Sequence, residues 1–442
     1  MTTASENELL TRVGPGTPMG EVMRQYWMPV AKSDEVAPDG PPLRLMALGE
    51  KLIAFRDSSG RVGVMDHRCP HRCASLFFGR NEEGGIRCVY HGWKFDVEGN
   101  CLDMANVPPH QDFKHKVKAK AYPALDKFGV IWIYMGDRKE APPFPDFELN
   151  RLAPDQINVR MIQQEYNWLQ GLENDLDTSH FGFLHLGGVD ADLLEPEDNF
   201  RYLINDRTPE FHIERTPAGL MYGSHRPAPD GVSTYWRLAQ YMVPFWVVPP
   251  AGALPDLIAM KGYIPMDDTH TMTIMISPGR RPRPARGGNG KPVQPGVAAA
   301  SQMVQYRENT TDWFGRWRLI NNAENDYLID RRAQRNGVYS GINGVQVQDT
   351  AIAGTMGPTT DRTFEHLASS DELIARTRRL LIRTVEAYRS DKSTPLPGVD
   401  EPGIYRGHRA GDFCAPNEKP FRQAYEELIL QHAGTAPRWA AE

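Results

Sequence analysis

Between about residues 28 and 136 the apolar positions come in short runs of strand length, not helix length. Leu52-Ile53-Ala54-Phe55, Val62-Gly63-Val64-Met65 and Val130-Ile131-Trp132-Ile133-Tyr134 are the clearest. Turn residues bound them, at Asp57-Ser58-Ser59-Gly60, Glu98-Gly99-Asn100 and Asp126-Lys127-Phe128-Gly129. This pattern predicts a small all-β domain. Ahead of it, residues 7–27 carry Leu9, Leu10, Met19, Val22, Met23 and Tyr26 as a helical apolar set. Pro15-Gly16-Thr17-Pro18 interrupts that set, with Thr17 placed to cap a second helix that Pro18 opens. Pro142-Pro143-Phe144-Pro145 reads as a connector. Beyond it the periods mix. Residues 157–162, Gly219–Gly223, Tyr241–Val243 and the alternating stretch 270–276 suit strands. Residues 370–389 repeat Leu373, Ile374, Thr377, Leu380, Leu381, Val385 and Tyr388 at helical spacing. The expected architecture is α+β: a helical segment over 1–27, an all-β domain over 28–145, and a larger domain over 146–442 with an antiparallel sheet and helices. The Pro-, Gly- and Arg-rich run after Pro278 cannot build a core, so 279–300 is expected to be a mobile surface insertion.

Composition narrows the function classes. A chain of 442 residues, 40% hydrophobic, can bury a sizeable core in two or three domains. A net charge of −6 argues against nucleic acid as a partner. There is no apolar stretch of about eighteen residues to span a membrane. The segment Met1–Glu6 lacks the features of a signal peptide. There are five cysteines, and Cys73, Cys101 and Cys414 show no framework spacing, so free thiols and a cytoplasmic location are expected.

Two short motifs carry metal chemistry in the all-β part: Cys69-Pro70-His71 and Cys88-Val89-Tyr90-His91. Each supplies one thiol and one imidazole. A Rieske cluster takes two Cys on one iron and two His on the other, which raises its potential above that of an all-thiolate cluster. Zinc is the alternative, but zinc sites usually pair like ligands within each loop. Ordinary packing of the four residues is the bland reading.

A second segment, Tyr166 to His185, contains Asp177-x2-His180-x4-His185. Two histidines plus a carboxylate from elsewhere make the facial triad of non-haem Fe(II) enzymes. Five residues turn an ideal helix by about 140° beyond a full turn, so His180 and His185 cannot share a helix face. A bend or an end is expected between them, with Gly182 the obvious place. Asp177 and His180, three apart, lie on one face. The alternative is that both histidines merely pack among Phe181, Phe183 and Leu184.

The stretches Arg68–Arg72 and Tyr90–Phe95 closely resemble the cluster loops of Rieske non-haem iron oxygenases, and Asn174-x2-Asp177-x2-His180-x4-His185 resembles the mononuclear iron motif of their alpha subunits. Val345–Ile352, Met356–Arg362 and Glu365-His366-Leu367 resemble the phthalate-dioxygenase-like branch. The resemblance covers essentially the whole chain. One departure is Cys73, where that family usually has glycine. The resemblance implies a Rieske domain followed by a helix-grip-like catalytic domain. It implies that Cys69, His71, Cys88 and His91 hold the [2Fe–2S] cluster. It further implies that His180, His185 and Asp349 hold a mononuclear Fe(II), with Asp326, Asp330 and Asp361 as competitors for the third ligand. Those three otherwise pair at the surface with Arg331, Arg332 and Arg362. By the same resemblance, Asp177 bridges electrons from His91 or His71 of a neighbouring subunit, which implies a homotrimer or stacked trimers. By contrast, Glu173 and Asp175 fit solvated helix carboxylates.

The activity implied is that of a terminal oxygenase using O2. A separate flavin and iron–sulfur reductase supplies its electrons, so NAD(P)H acts only indirectly. Its expected substrate is an aromatic acid, phthalate-like or a substituted benzoate, which it would cis-dihydroxylate. O-demethylation of a methoxy or aryl-ether aromatic is the alternative, and a non-catalytic Rieske electron carrier the remote one. A carboxylate substrate calls for an arginine fork. Arg207, Arg215, Arg226 and Arg237 fall where pocket walls are expected, and Arg207 is the candidate, with a surface salt bridge the alternative for each. Trp236, Phe245 and Trp246 either line the pocket or fill the core. Lys114 to Lys120 alternates, so a strand there would set four lysines on one face for an acidic reductase.

Overall fold

A computed structural model describes residues 2–186, 202, 206–250, 252–254, 259–279 and 304–433. The expected insertion at 279–300 lies outside the described residues apart from Gly279. At the N-terminus two short helices replace one interrupted set. Thr3 and Glu6 form a capping box on Ala4–Thr11, and Thr17 caps Pro18–Met23. Tyr26 then gives way to strand Trp27–Lys32.

Three small antiparallel sheets follow. Trp27–Lys32, Val130–Tyr134 and Ala124–Lys127 form one, and Leu43–Ala47, Glu50–Arg56, Val62–Asp66 and Ala121–Tyr122 a second. Arg80–Glu82, Gly85–Arg87, Trp93–Phe95 and Cys101–Met104 form the third, beside the motif loops. Strand Glu50–Arg56 sorts its side chains between two cores. Leu52 and Ala54 face the large core, while Ile53 and Phe55 face a separate one with Leu76, Ile86, Cys69, Cys88, Trp93 and Phe95. Each fully buried large apolar side chain there contributes about 1.5–3 kcal/mol, and that burial holds the base of the two motif loops.

The larger domain is built on an eight-stranded antiparallel sheet. Its order is Ile157–Gln164, Thr271–Pro278, Met260–Pro265, Trp246–Val248, Ser233–Met242, Gly219–Pro227 and Glu210–Thr216, with Gly411–Pro416 paired along the first half of Ser233–Met242. Helix Trp168–Leu176 lies on Met260–Pro265 and Trp246–Val248. Gly171 permits that approach, because a Cβ there would sit 2.4 Å from the Tyr263 ring. The architecture is the expected α+β. Trp132 of the first sheet meets Trp246 of the large one, 5.8 Å between ring centroids, and Arg316 clamps Glu35 across the same junction. Phe245 and Trp246 are core residues, and Trp236 packs on Phe421 of the C-terminal helix.

Three expectations need correction. Lys114–Lys116 is a 3-10 turn, with Asp112 accepting from the Lys114 N–H, so no strand aligns the lysines. Glu173 is not solvated: it is buried and receives both Arg362 and Arg378. Asp175 pairs with buried Lys261 at 2.9 Å. Arg362 is therefore committed to Glu173, while Asp361 accepts from Thr363 and Asp330 caps the turn at Arg332 and Ala333. No helix among the described residues is long and apolar enough to cross a membrane.

Candidate metal centres

The two cysteine loops are the same turn made twice. Cys69 N–H donates to Ala74 O and Cys88 N–H to Trp93 O, both at 2.8 Å. Cys73 N–H returns to Cys69 O at 2.8 Å, and Gly92 N–H to Cys88 O at 2.9 Å. The closing residue is left-handed in each, φ +60° at Cys73 and +76° at Gly92. Glycine takes that conformation freely, whereas a side chain costs roughly 1–2 kcal/mol. Cys73 thus occupies a glycine position by backbone geometry, and its side chain is exposed.

Cys69 and Cys88 are buried side by side. Burial, with Cys88 adjacent, pushes the Cys69 thiol up to about 12, although the backbone N–H groups of His71 and Arg72 pull it down. His71 stacks on Trp93 at 4.3 Å and lies 4.4 Å from His91. His91 Nδ1 is buried and accepts or donates to no described atom. An unpartnered imidazole nitrogen on loops that also carry two buried thiols is the kind of donor set that a two-iron cluster would fill.

The second site forms where a helix stops. Asn167 caps Trp168–Leu176 at its start, and Asp177 ends it. Asp177 Oδ1 accepts from the Ser179 N–H and hydroxyl, both at 2.7 Å, which turns the chain into a 3-10 segment, Ser179–Gly182. The spacing predicts the break between the two histidines at Gly182; the helix in fact ends earlier, at Leu176, and Gly182 closes the tighter turn. This swings His180 and His185 toward each other, with Nε2 atoms 3.1 Å apart. Asp349, on helix Val345–Thr355, places Oδ1 at 3.2 Å from His185 Nε2 and 3.7 Å from His180 Nε2.

Three donors about 2.1 Å from one ion, at right angles, stand about 3 Å apart. The observed separations match that triangle. Asp349 Oδ1 is near both imidazoles, and the three donor atoms all lie within 4.8 Å of one another. The residues fit a metal. Burial would raise the Asp349 pKa, but the neighbouring histidines outweigh it and hold it low. Burial would lower His180, but Asp177, 3.5 Å from Nδ1, outweighs it and raises it. Asp326, Asp330 and Asp361 do not join this group.

Beside the triad lies a face of the sheet that strand alternation builds. Pairing Ser224 with Arg237 and Arg226 with Tyr235 sets Tyr222, Ser224, Arg226, Tyr235 and Arg237 on one side. Arg237 is buried, donates from Nε to Thr178 at 3.1 Å, and lies 4.1 Å over the Phe181 ring. That ring is 4.6 Å from His185. Arg226 is also buried, with Nη1 unpartnered. Neither has a carboxylate partner among the described residues. Arg207 is exposed, lies over Phe183 and packs against Gly182. Nothing in one sequence ranks the four arginines; the two-residue period over 233–242 is the signal that sets Arg237 opposite Trp236.

Residues 26–123 match the family profile described as Rieske [2Fe-2S] domain, and 133–424 that described as LigXa C-terminal domain like. The chain is 43% identical to the 3-chlorobenzoate-3,4-dioxygenase oxygenase subunit of Comamonas testosteroni, over 97% of this chain and 99% of that protein. It is 34% identical to the phthalate 4,5-dioxygenase oxygenase subunit of Pseudomonas putida, over 89% and 88%. It is 31% identical to the 5,5'-dehydrodivanillate O-demethylase oxygenase subunit of a Sphingobium species, over 94% and 91%. In fold it is similar to dicamba monooxygenase bound to dicamba, with a TM-score of 0.54 at 18% identity over 83% of this chain and 98% of that one.

Proposed function

The chain belongs to the Rieske aromatic ring-hydroxylating oxygenases as an alpha subunit, and from that premise we propose that it is the terminal oxygenase for an aromatic acid. One observation carries the reading: a single chain brings a two-Cys, two-His donor set and a separate His180–His185–Asp349 triangle. When bound, the cluster supplies single electrons and the mononuclear iron activates O2 for insertion into an aromatic ring. Cys69, His71, Cys88 and His91 would hold the cluster, and His180, His185 and Asp349 would hold the iron. Asp177 steadies the His180 ring through Nδ1 and serves as the bridge to His91 or His71 of a neighbouring subunit in a homotrimer or stacked trimers. Electrons come from NAD(P)H through a separate flavin and iron–sulfur reductase, in the cytoplasm.

The substrate class rests on charge and burial. A buried guanidinium without a carboxylate suits an acid brought by the ligand. Arg237, with Arg226 beside it, meets that condition; exposed Arg207 can guide the acid at the rim. The relatives named for chlorobenzoate and phthalate support a benzoate or phthalate-like acid, cis-dihydroxylated. The O-demethylase relative favours ether cleavage as a second reading, since the same triad serves both.

Turnover with a surrogate reductase, over benzoate, 3-chlorobenzoate, phthalate and methoxybenzoates, decides between them. A diol is the expected product; formaldehyde from the methoxy compounds would favour the second reading. A charge-assisted hydrogen bond contributes about 1.5–3 kcal/mol, so Arg237→Met is expected to raise KM for the acid roughly 10- to 100-fold. KM for the matching carboxamide should barely move, and an equal change for both would remove Arg237 from acid recognition.

A further inference from the structure

We infer that Gln348 is a positioning residue that fixes which nitrogen of His185 faces the metal; the inference rests on the metal reading of the triad. His185 Nδ1 lies 2.6 Å from Gln348 Oε1, and both residues are buried. The orientation of the amide decides the proton. Gln348 Nε2 is 2.7 Å from Ile342 O, which can only accept, and 3.0 Å from Ser340 Oγ. The NH2 group must therefore point at Ile342, and the oxygen at His185. An amide oxygen only accepts, so Nδ1 carries the imidazole proton. Nε2 is left with the lone pair, aimed at His180 Nε2 at 3.1 Å and Asp349 Oδ1 at 3.2 Å.

Successive residues of one helix thus hold the two nitrogens of one ring. Gln348 orients the ring from behind, and Asp349 meets its metal-facing edge. Ser340 and Ile342 precede helix Val345–Thr355, so the same loop that starts the helix sets the tautomer. The two ligand histidines differ in this respect: His180 has a carboxylate at Nδ1, and His185 a neutral amide. Partners of this kind typically change metal affinity 10- to 100-fold.

The test uses the full chain with its cluster kept and its mononuclear site stripped by chelation, titrated with Co(II). Wild type should bind one Co(II), with a visible spectrum that reports nitrogen and oxygen ligands. Gln348→Met, which keeps volume and loses the acceptor, should bind Co(II) 10- to 100-fold more weakly, with an unchanged cluster spectrum. Gln348→Glu, which keeps an oxygen against Nδ1, should recover at least tenfold of that loss. Gln348→Met within threefold of wild type would overturn the inference. Equal loss in Met and Glu variants would overturn it too, because packing alone would then explain the effect. A wild type that binds no Co(II) would instead sink the metal reading itself.

Discussion

Asp349→Ala should cost the protein its mononuclear iron and lower turnover by more than about 100-fold, while the cluster spectrum stays intact. Loss of an outer partner alone typically costs 10- to 100-fold in metal affinity or activity, and Asp349 supplies a donor atom, not a partner. The cluster loops lie in a separate core, so they have no physical reason to respond. Stability should fall as well. The two imidazoles outweigh burial and hold the Asp349 carboxyl low, so its ionised form contributes to the fold. The stripped variant should therefore melt below the stripped wild type. Full iron occupancy in Asp349→Ala, by metal analysis, would mean that another group closes the triad.

Glu173→Ala is expected to destabilise the fold by about 3–5 kcal/mol, the usual cost of breaking a buried ion pair by removing one partner. Glu173 Oε1 accepts from Arg378 Nε at 2.6 Å, and Oε2 from Arg362 Nη2 at 2.9 Å. Arg362 is fully buried and also donates to Asn7 of the first helix; Arg378 also donates to Glu365. One carboxylate therefore ties the first helix, the Trp168–Leu176 helix, the 361–365 segment and the long helix Glu372–Ser390. Without it, Arg362 has no acidic partner among the described residues. A urea midpoint shift equivalent to less than about 1 kcal/mol would show that the two arginines find other acceptors. Because Glu173 lies on the helix that delivers Asp177 and His180, weaker iron binding should accompany the loss.

How much of the site is legible in the chain depends on how far apart the partners lie. The cluster motifs sit within twenty-three residues, so their spacing points to a cluster; Asp177 to His185 span nine, and the cluster loops upstream turn that pair of histidines from packing residues into candidate iron ligands. That the helix must break is legible for the same reason, since five residues cannot bring two histidines to one helix face, but its place is not: the spacing points to Gly182, and the helix ends at Leu176. Asp349 is distant, and only resemblance points to it. Glu173 is misleading because its partners stand 189 and 205 residues away, and a helix carboxylate with no local partner looks solvated. The Lys114–Lys120 alternation misleads for the opposite reason: local turn chemistry at Asp112 overrides a two-residue period. Cys73 makes no sense as a side chain and becomes legible as a backbone conformation. Gln348 gives no signal at all, because an amide's role depends on what each of its two ends faces.

The most direct measurement is iron and acid-labile sulfide per chain in the purified protein. Two centres on one chain predict three irons and two sulfides, falling to two and two in Asp349→Ala with the cluster absorbance unchanged. Two irons and two sulfides in a fully reconstituted wild type would contradict the account, and would leave an electron carrier with an empty triad.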